Sequence, residues 1–287
     1  MDIKKVVFIT RTKDKKDLDS PDLEKLILGV FGSGIINRYA VSNFSDPNYE
    51  ISSKNVSVDV SVIKDDDPAS PTSLNTALKK IEEDKVEPDA FLVCSKEVKL
   101  KKNDIKKLKR VMEKNLNTLF VVGYKFRITD KQLNKELKDY YNNKNLIAYR
   151  VPWNTCAIWN YKLFKKYVIK FDEITNKNPF DPVRVCIDNV CSQTDHRGME
   201  DGLAIAKAAS EKQEKIYFKL LKKRLPWKIK SGHNERRRHR EKLARKDTVL
   251  RNFMEVRGYL AKDLEDAEKK NYLSYHLGVF NPNVPPG

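Results

Sequence analysis

Apolar positions in the first two-thirds of the chain fall into short blocks that switch between two periods. Val6–Thr10 is a compact apolar run closed by a polar residue, as in a strand buried on both faces. Leu23, Leu26, Ile27 and Val30 then recur at helical spacing. Val56–Ile63 alternates valine or isoleucine with polar residues, the period of a half-buried strand. Past the turn-rich Asp65-Asp66-Asp67-Pro68, Ser73 is placed to cap a helix that carries Leu74, Ala77, Leu78 and Ile81. Ala90–Cys94 reads as a buried strand, Asp104–Lys114 as a helix and Leu119–Val122 as a further strand. This rhythm predicts an α/β, Rossmann-like domain with a mainly parallel sheet flanked by helices. From Asn145 onward the pattern loosens. It suggests a strand over Leu146–Val151 and helices over Tyr161–Val168 and Gly198–Ser210.

Composition narrows the class. The 287 residues are 40% hydrophobic, enough for a sizeable core, which excludes wholesale disorder. No apolar run is long enough to span a bilayer as a helix, and the longest, Leu26–Ile36, is broken by three glycines. The chain enters a strand-like run almost at once, without a secretory pattern, and its four cysteines do not form a disulfide framework. The expectation is a reduced, cytoplasmic protein.

Charge adds the second feature. The chain carries 57 Lys and Arg against 40 Asp and Glu, a net +17. Lys219–Arg251 alone holds fourteen of the basic residues and three acids, a net +11. The expected division is therefore a globular body over residues 1–220 and a basic, helical C-terminal extension over 221–287. Leu243, Val249, Leu250, Phe253 and Met254 fall roughly on one face of a helix resuming near Glu235. Such charge suits an anionic partner: nucleic acid, an acidic membrane surface or phosphorylated small molecules.

Ligands of open α/β sheets bind beyond the carboxyl ends of the strands. That rule selects the loops at Arg11–Lys16, Lys64–Asp67 and Ser95–Lys99. Asp65 or Asp66 can accept a hydrogen bond from a nucleoside; the alternative is a plain turn beside a helix cap. Glu200 and Asp201 open a helical pattern, where the helix dipole favours carboxylates and a pair can tune one another's pKa. One of them can serve as general base toward an attacking hydroxyl, against the plainer reading of acidic residues in a first turn. Cys186, Cys191 and His196, with Cys156, lack the tight spacing of a structural zinc site, and the three cysteines read as buried thiols. Gly29–Gly34 follows a helix and lacks a Gly-Lys-Ser/Thr ending, so it reads as a helix terminus instead of a phosphate loop.

Taken in chain order, these segments resemble nucleotide-sugar glycosyltransferases of the GT-A type over about residues 3–220. Val6–Thr10 is similar to the family's donor-binding strand, and Val58–Ile63 with Asp65-Asp66 to its second strand and nucleobase-contacting Asp. Ser73-Leu-Asn-Thr-Ala-Leu78 resembles the helix motif that follows. Ala157–Phe164 with Phe171-Asp172-Glu173 is similar to the segment ending in Phe-Asp-Glu, and Glu200-Asp201 to the Glu-Asp pair that supplies the base. Where the family carries a metal-binding Asp-x-Asp, this chain has Cys94-Ser95-Lys96, with Glu97 next.

The resemblance implies a GT-A-like fold and a hexosyl- or related transferase acting from a nucleoside diphosphate sugar onto an acceptor hydroxyl, with inversion. Asp201 would be the base and Glu200 its support. Thr10, Arg11, Asp65, Asp66, Lys96 and Glu97 would bind the donor, with Lys96 beside the diphosphate. Trp153, Asp172 and Glu173 would meet the acceptor, a glycan, a lipid-linked molecule or a protein; Trp159 would join Trp153 there or pack in the core. No metal ligand is assigned, and manganese or magnesium enters only if the acidic pair lies elsewhere. The competing expectation is a non-catalytic protein whose basic extension binds nucleic acid or an anionic membrane surface.

Overall fold

The computed structural model describes residues 3–53, 56–68, 70, 72–138, 146–171, 184–187, 190–193, 199–210, 216–229, 232–256, 258–262 and 264–265. The strands are β1 (Val6–Arg11), β2 (Ile35–Ser42), β3 (Asp46–Ser53), β4 (Val56–Lys64), β5 (Ala90–Cys94), β6 (Leu119–Ile128), β7 (Cys156–Asn160), β8 (Arg184–Ile187), β9 (Val190–Gln193) and β10 (Tyr217–Trp227). The helices are α1 (Lys15–Leu18), α2 (Pro21–Val30), α3 (Thr72–Glu83), α4 (Lys102–Glu113), α5 (Lys131–Glu136), α6 (Tyr161–Tyr167), α7 (Glu200–Ser210) and α8 (His233–Val256).

Eight strands form one sheet in the order β10-β6-β7-β5-β1-β2-β4-β3. It is a mixed α/β sheet flanked by helices, in keeping with the GT-A-like arrangement expected. β1, apolar up to Thr10 and Arg11, and the fully apolar β5 lie side by side and parallel at its centre, where both faces are covered. Antiparallel β7 separates β5 from β6 and brings Cys156 opposite Cys94. Parallel β1, β5 and β6 therefore end on the edge of the sheet where β7 begins. This common edge positions the site.

Five strands, β2, β3, β7, β8 and β9, escaped the sequence reading. β2 lies between β1 and β4, although Asn37 and Arg38 interrupt its apolar run. β3, mostly polar, pairs antiparallel with β4 at the margin, where one side needs no ladder partner. The strand before Asp65 is thus the second neighbour of β1. Leu146–Val151 also departs from expectation: Ile147–Tyr149 forms a single 3-10 turn. Its apolar residues are buried beneath α8 instead, with the Tyr149 hydroxyl donating to the Leu243 carbonyl and the Ala148 N–H to Asp247 at 2.9 Å.

The basic region is built into the body. β10 runs through Lys222, Lys223 and Arg224 and pairs with β6 as far as Trp227, so the expected boundary at 220/221 falls inside a strand. On α8, Leu243, Val249, Leu250 and Met254 are buried. Gly202 allows α7 and α8 to approach; a Cβ there would lie 2.8 Å from a Leu250 methyl. Among the described residues, no helix is long and apolar enough to cross a membrane.

Candidate active site

The edge where β1 and β5 end opens into a cavity of about 350 Å³. Arg11 enters it from β1, Cys94, Ser95 and Glu97 from the end of β5, and Asn154 and Thr155 from the approach to β7. The rim is tied across the gap: the Lys228 N–H donates to the Glu97 carbonyl at 2.9 Å and the Lys99 N–H to that of Pro226 at 3.1 Å. The remaining wall is α8, which contributes Glu235, Arg238, His239 and Lys242.

Behind this cavity lie Glu200 and Asp201, only 2% and 4% exposed. They occupy the first turn of α7, where free backbone N–H groups favour carboxylates. Asp201 accepts from the Asn154 N–H at 2.8 Å and from its neighbour Gly202 N–H at 2.7 Å, which fixes both oxygens. Glu200 faces Arg11, whose Nη2 stands 3.4 Å from Oε1. The other arm of that guanidinium donates to the Ser70 carbonyl at 3.3 Å.

The two carboxyls are driven apart in acidity. Burial pushes Asp201 up, the adjacent Glu200 charge adds to this, and Lys246 and the two N–H groups oppose it; the result is about 6. Burial also works against the Glu200 anion, yet Arg11, its own backbone N–H, Lys246 and Asn154 outweigh it and hold Glu200 below the usual carboxylate range. At neutral pH Glu200 is the fixed anion and Asp201 the group poised to exchange a proton.

The cations have been brought together by folding. Burial lowers the pKa of Lys246, although Asp201 and Glu200 favour its charge. Lys242, more open to solvent, falls to about 8, through the surrounding protein first and then the nearby Lys246, Arg11 and Arg238 charges. Burial and Lys242 likewise depress His239, which meets the Trp227 ring edge-on.

The other anticipated residues are dispersed. Thr10 is buried at the end of β1 with its hydroxyl unpaired, while Arg11 reaches the cavity. Asp65 accepts from the Asp67 N–H at 2.9 Å and the Thr76 hydroxyl at 2.7 Å, closing the turn before α3. Asp66 is exposed beside Lys64, and neither Asp lines the cavity. Lys96 pairs with Asp17 of α1, and Glu97 accepts from the Ser95 hydroxyl. Trp153 is buried, donates from its indole to the Ala148 carbonyl at 2.7 Å, and carries Lys246 over its ring. Trp159 belongs to a core cluster with Phe91, Phe120, Phe164 and Phe171. Asp172, Glu173 and His196 lie outside the described residues, while Cys186 and Cys191 are cross-strand partners on β8 and β9.

Sequence reasoning passed over Asn154, Lys242 and Lys246, and took Arg238 and His239 only as part of a basic cluster able to neutralise phosphates. For three of them a signal existed: Arg238, Lys242 and Lys246 are spaced by four and form one stripe of α8. Which way that stripe faces is set by the apolar residues on the rest of the helix and by the groove that receives them.

The chain matches no protein-family model, and no match was found among curated proteins. It does resemble solved structures. Against CMP:2-keto-3-deoxy-manno-octonic acid synthetase complexed with CTP, identity is 16% and the TM-score 0.32 over 42% of this chain. The chain spans about half of that protein, 52% of its length. Against S. aureus TarS 1-349 in complex with UDP-GlcNAc, identity is 13% and the TM-score 0.46, covering 87% of this chain and 71% of the other. Against the mannosyltransferase PcManGT from Pyrobaculum calidifontis, in complex with GDP-Man and Mn2+, the values are 10% and 0.39, over 98% and 82%.

Proposed function

We propose that this chain is a glycosyltransferase that moves a sugar from a nucleoside diphosphate sugar to an acceptor hydroxyl. The observation that carries the reading is the buried Glu200–Asp201 pair, set at the start of α7 beside Arg11 and beyond the carboxyl end of β1. Asp201 takes the acceptor's proton as the acceptor oxygen bonds the anomeric carbon. The bond from that carbon to the diphosphate oxygen breaks in the same displacement, so the anomeric centre inverts and the nucleoside diphosphate leaves. Glu200 stays ionised, holding Arg11 and raising Asp201 into the range of a base that works near neutrality.

The donor set at Cys94–Glu97, where the resembled family carries Asp-x-Asp, does not suit a hard divalent ion. Burial, with Cys156 close by, pushes the Cys94 thiol well up, Lys96 is a cation, and the single carboxylate, Glu97, is engaged by Ser95. Among the described residues no group of three or more His, Cys, Asp or Glu is arranged to hold a metal.

The rival reading, a basic arm for nucleic acid or an anionic membrane, is weakened by where α8 spends its charge. Arg236 and Arg240 pair with Asp130 and Glu136 of the body, and Arg237 and Arg251 with Glu241 and Asp247 of the helix itself. Thermal unfolding with a panel of nucleoside diphosphate sugars tests the proposal. One sugar nucleotide should raise the midpoint, because a ligand bound only by the folded state stabilises it. No response to any sugar nucleotide, with salt-sensitive binding of mixed oligonucleotides instead, would overturn it.

A further inference from the structure

We infer that the donor diphosphate, on the reading just given, is held without a metal ion by Arg238 and Lys242 of α8, with Arg11 at the base of the cavity. The cavity has no built site for a divalent ion at the end of β5, as the donor set there makes plain. It does have an excess of positive charge on the opposite wall, where Arg238 and Lys242 outnumber Glu235. Arg238 and Lys242 line it one helical turn apart and so project from the same stripe. Neither has an ion-pair partner among the described residues, in contrast to Arg236, Arg237, Arg240 and Arg251 of the same helix.

The neighbouring charges show why an anion is wanted there. Arg11 shares Glu200, and Lys228 at the rim is 2.8 Å from Asp22. Lys246 lies deeper, over Trp153 and against the carboxyl pair. Glu97 is turned to Ser95. Lys242 is left among Arg11, Arg238 and Lys246 with Glu200 as its principal counter-charge. Cations crowded in this way repel one another, and a diphosphate between them removes that cost while forming charge-assisted hydrogen bonds. Fixed cations at the leaving group stabilise the charge that develops as its bond to the sugar breaks, the task a metal otherwise performs. Lys96, paired with Asp17, is not needed for this role.

The test is calorimetric titration of the full chain with inorganic pyrophosphate and with a set of nucleoside diphosphates, in EDTA and again with manganese. Binding should persist in EDTA. Arg238→Gln and Lys242→Gln should each weaken it about tenfold, the loss of one charge-assisted hydrogen bond. Lys222→Gln, on the outer strand β10, should change it little, which separates a local contact from overall charge. Circular dichroism and the unfolding midpoint of each variant establish that it is folded. Binding that requires manganese would overturn the inference. So would metal-free binding that both variants retain, although the transferase reading would then survive. If no nucleoside diphosphate or sugar nucleotide binds under any condition, the transferase reading fails and this inference with it.

Discussion

The ammonium of Lys246 stands 3.9 Å from the centre of the Trp153 ring. A half-buried cation over an indole face is a favourable pairing. Here it also couples the C-terminal helix to the site, because Lys246 is the cation that most opposes protonation of Asp201. Replacing it with methionine keeps the contact with Trp153 and removes the charge. The pH at which turnover reaches half its plateau should move upward in Lys246→Met, read from initial rates between pH 5 and 9.

Glu200→Gln should move the same midpoint the other way. Glu200 is the nearest negative charge on Asp201, and without it less work is needed to ionise the base. The variant also leaves Arg11, about a third exposed, facing a neutral partner, so a loss of about 1–3 kcal/mol in unfolding free energy is expected. Denaturant titration gives the second number and the pH–rate profile the first. A parallel shift in both variants would show that neither acts through the Asp201 charge.

Asp201→Asn should abolish turnover and leave binding of the sugar nucleotide nearly intact. Its stability should carry a second signature. The folded-state value of Asp201, about 6, is raised above its ordinary 3.8, so the folded protein binds the proton more tightly than the unfolded chain does. The stabilisation this gives is complete below pH 4 and is lost as pH rises through 6. Relative to Asp201→Asn, the native protein should therefore lose on the order of 2–3 kcal/mol between pH 4 and 7. Unfolding midpoints of the two proteins across that range measure the slope. A constant difference would contradict the raised value.

Truncation before His233 should leave a chain that does not fold cooperatively. It uncovers Tyr149, Trp153 and Ala148 and removes four buried apolar side chains of α8, each worth roughly 1.5–3 kcal/mol on burial. Recovery of a cooperative transition in residues 1–232 would restore the view of this region as an appendage.

Two glycines should differ in their tolerance of alanine. At Gly123 a Cβ would lie 2.6 Å from the Pro152 Cβ and 3.3 Å from the Cys156 carbonyl, and a proline ring cannot turn aside. At Gly202 the nearest atoms are the ends of Leu250 and Met199, which can shift. Gly123→Ala should cost about 1–3 kcal/mol and Gly202→Ala less, both by denaturant titration.

Local pattern was sufficient for the elements that bury themselves by their own periodicity. The apolar blocks of β1 and β5, the helical spacing in α2, α3 and α4, and the amphipathic stretch of α8 could each be read without knowing their neighbours, because burial is written in the order of residues. The acidic pair of α7 was legible for the same reason, as charge at the start of a helix. Elements that take their form from a partner were not. β2 is a strand because β1 and β4 lie on either side of it, and Ile147–Tyr149 is a turn because α8 covers it. The site shows the same division. Sequence indicated that Asp201 can be a base and that the C-terminal region is basic. Only the tertiary structure decided that Arg238 and Lys242 line the cavity in front of that base and that Lys246 lies against it, while Asp65, Asp66 and Lys96 are taken up by neighbours of their own. Charge along a chain carries no direction. The groove that receives the apolar face of α8 supplies it.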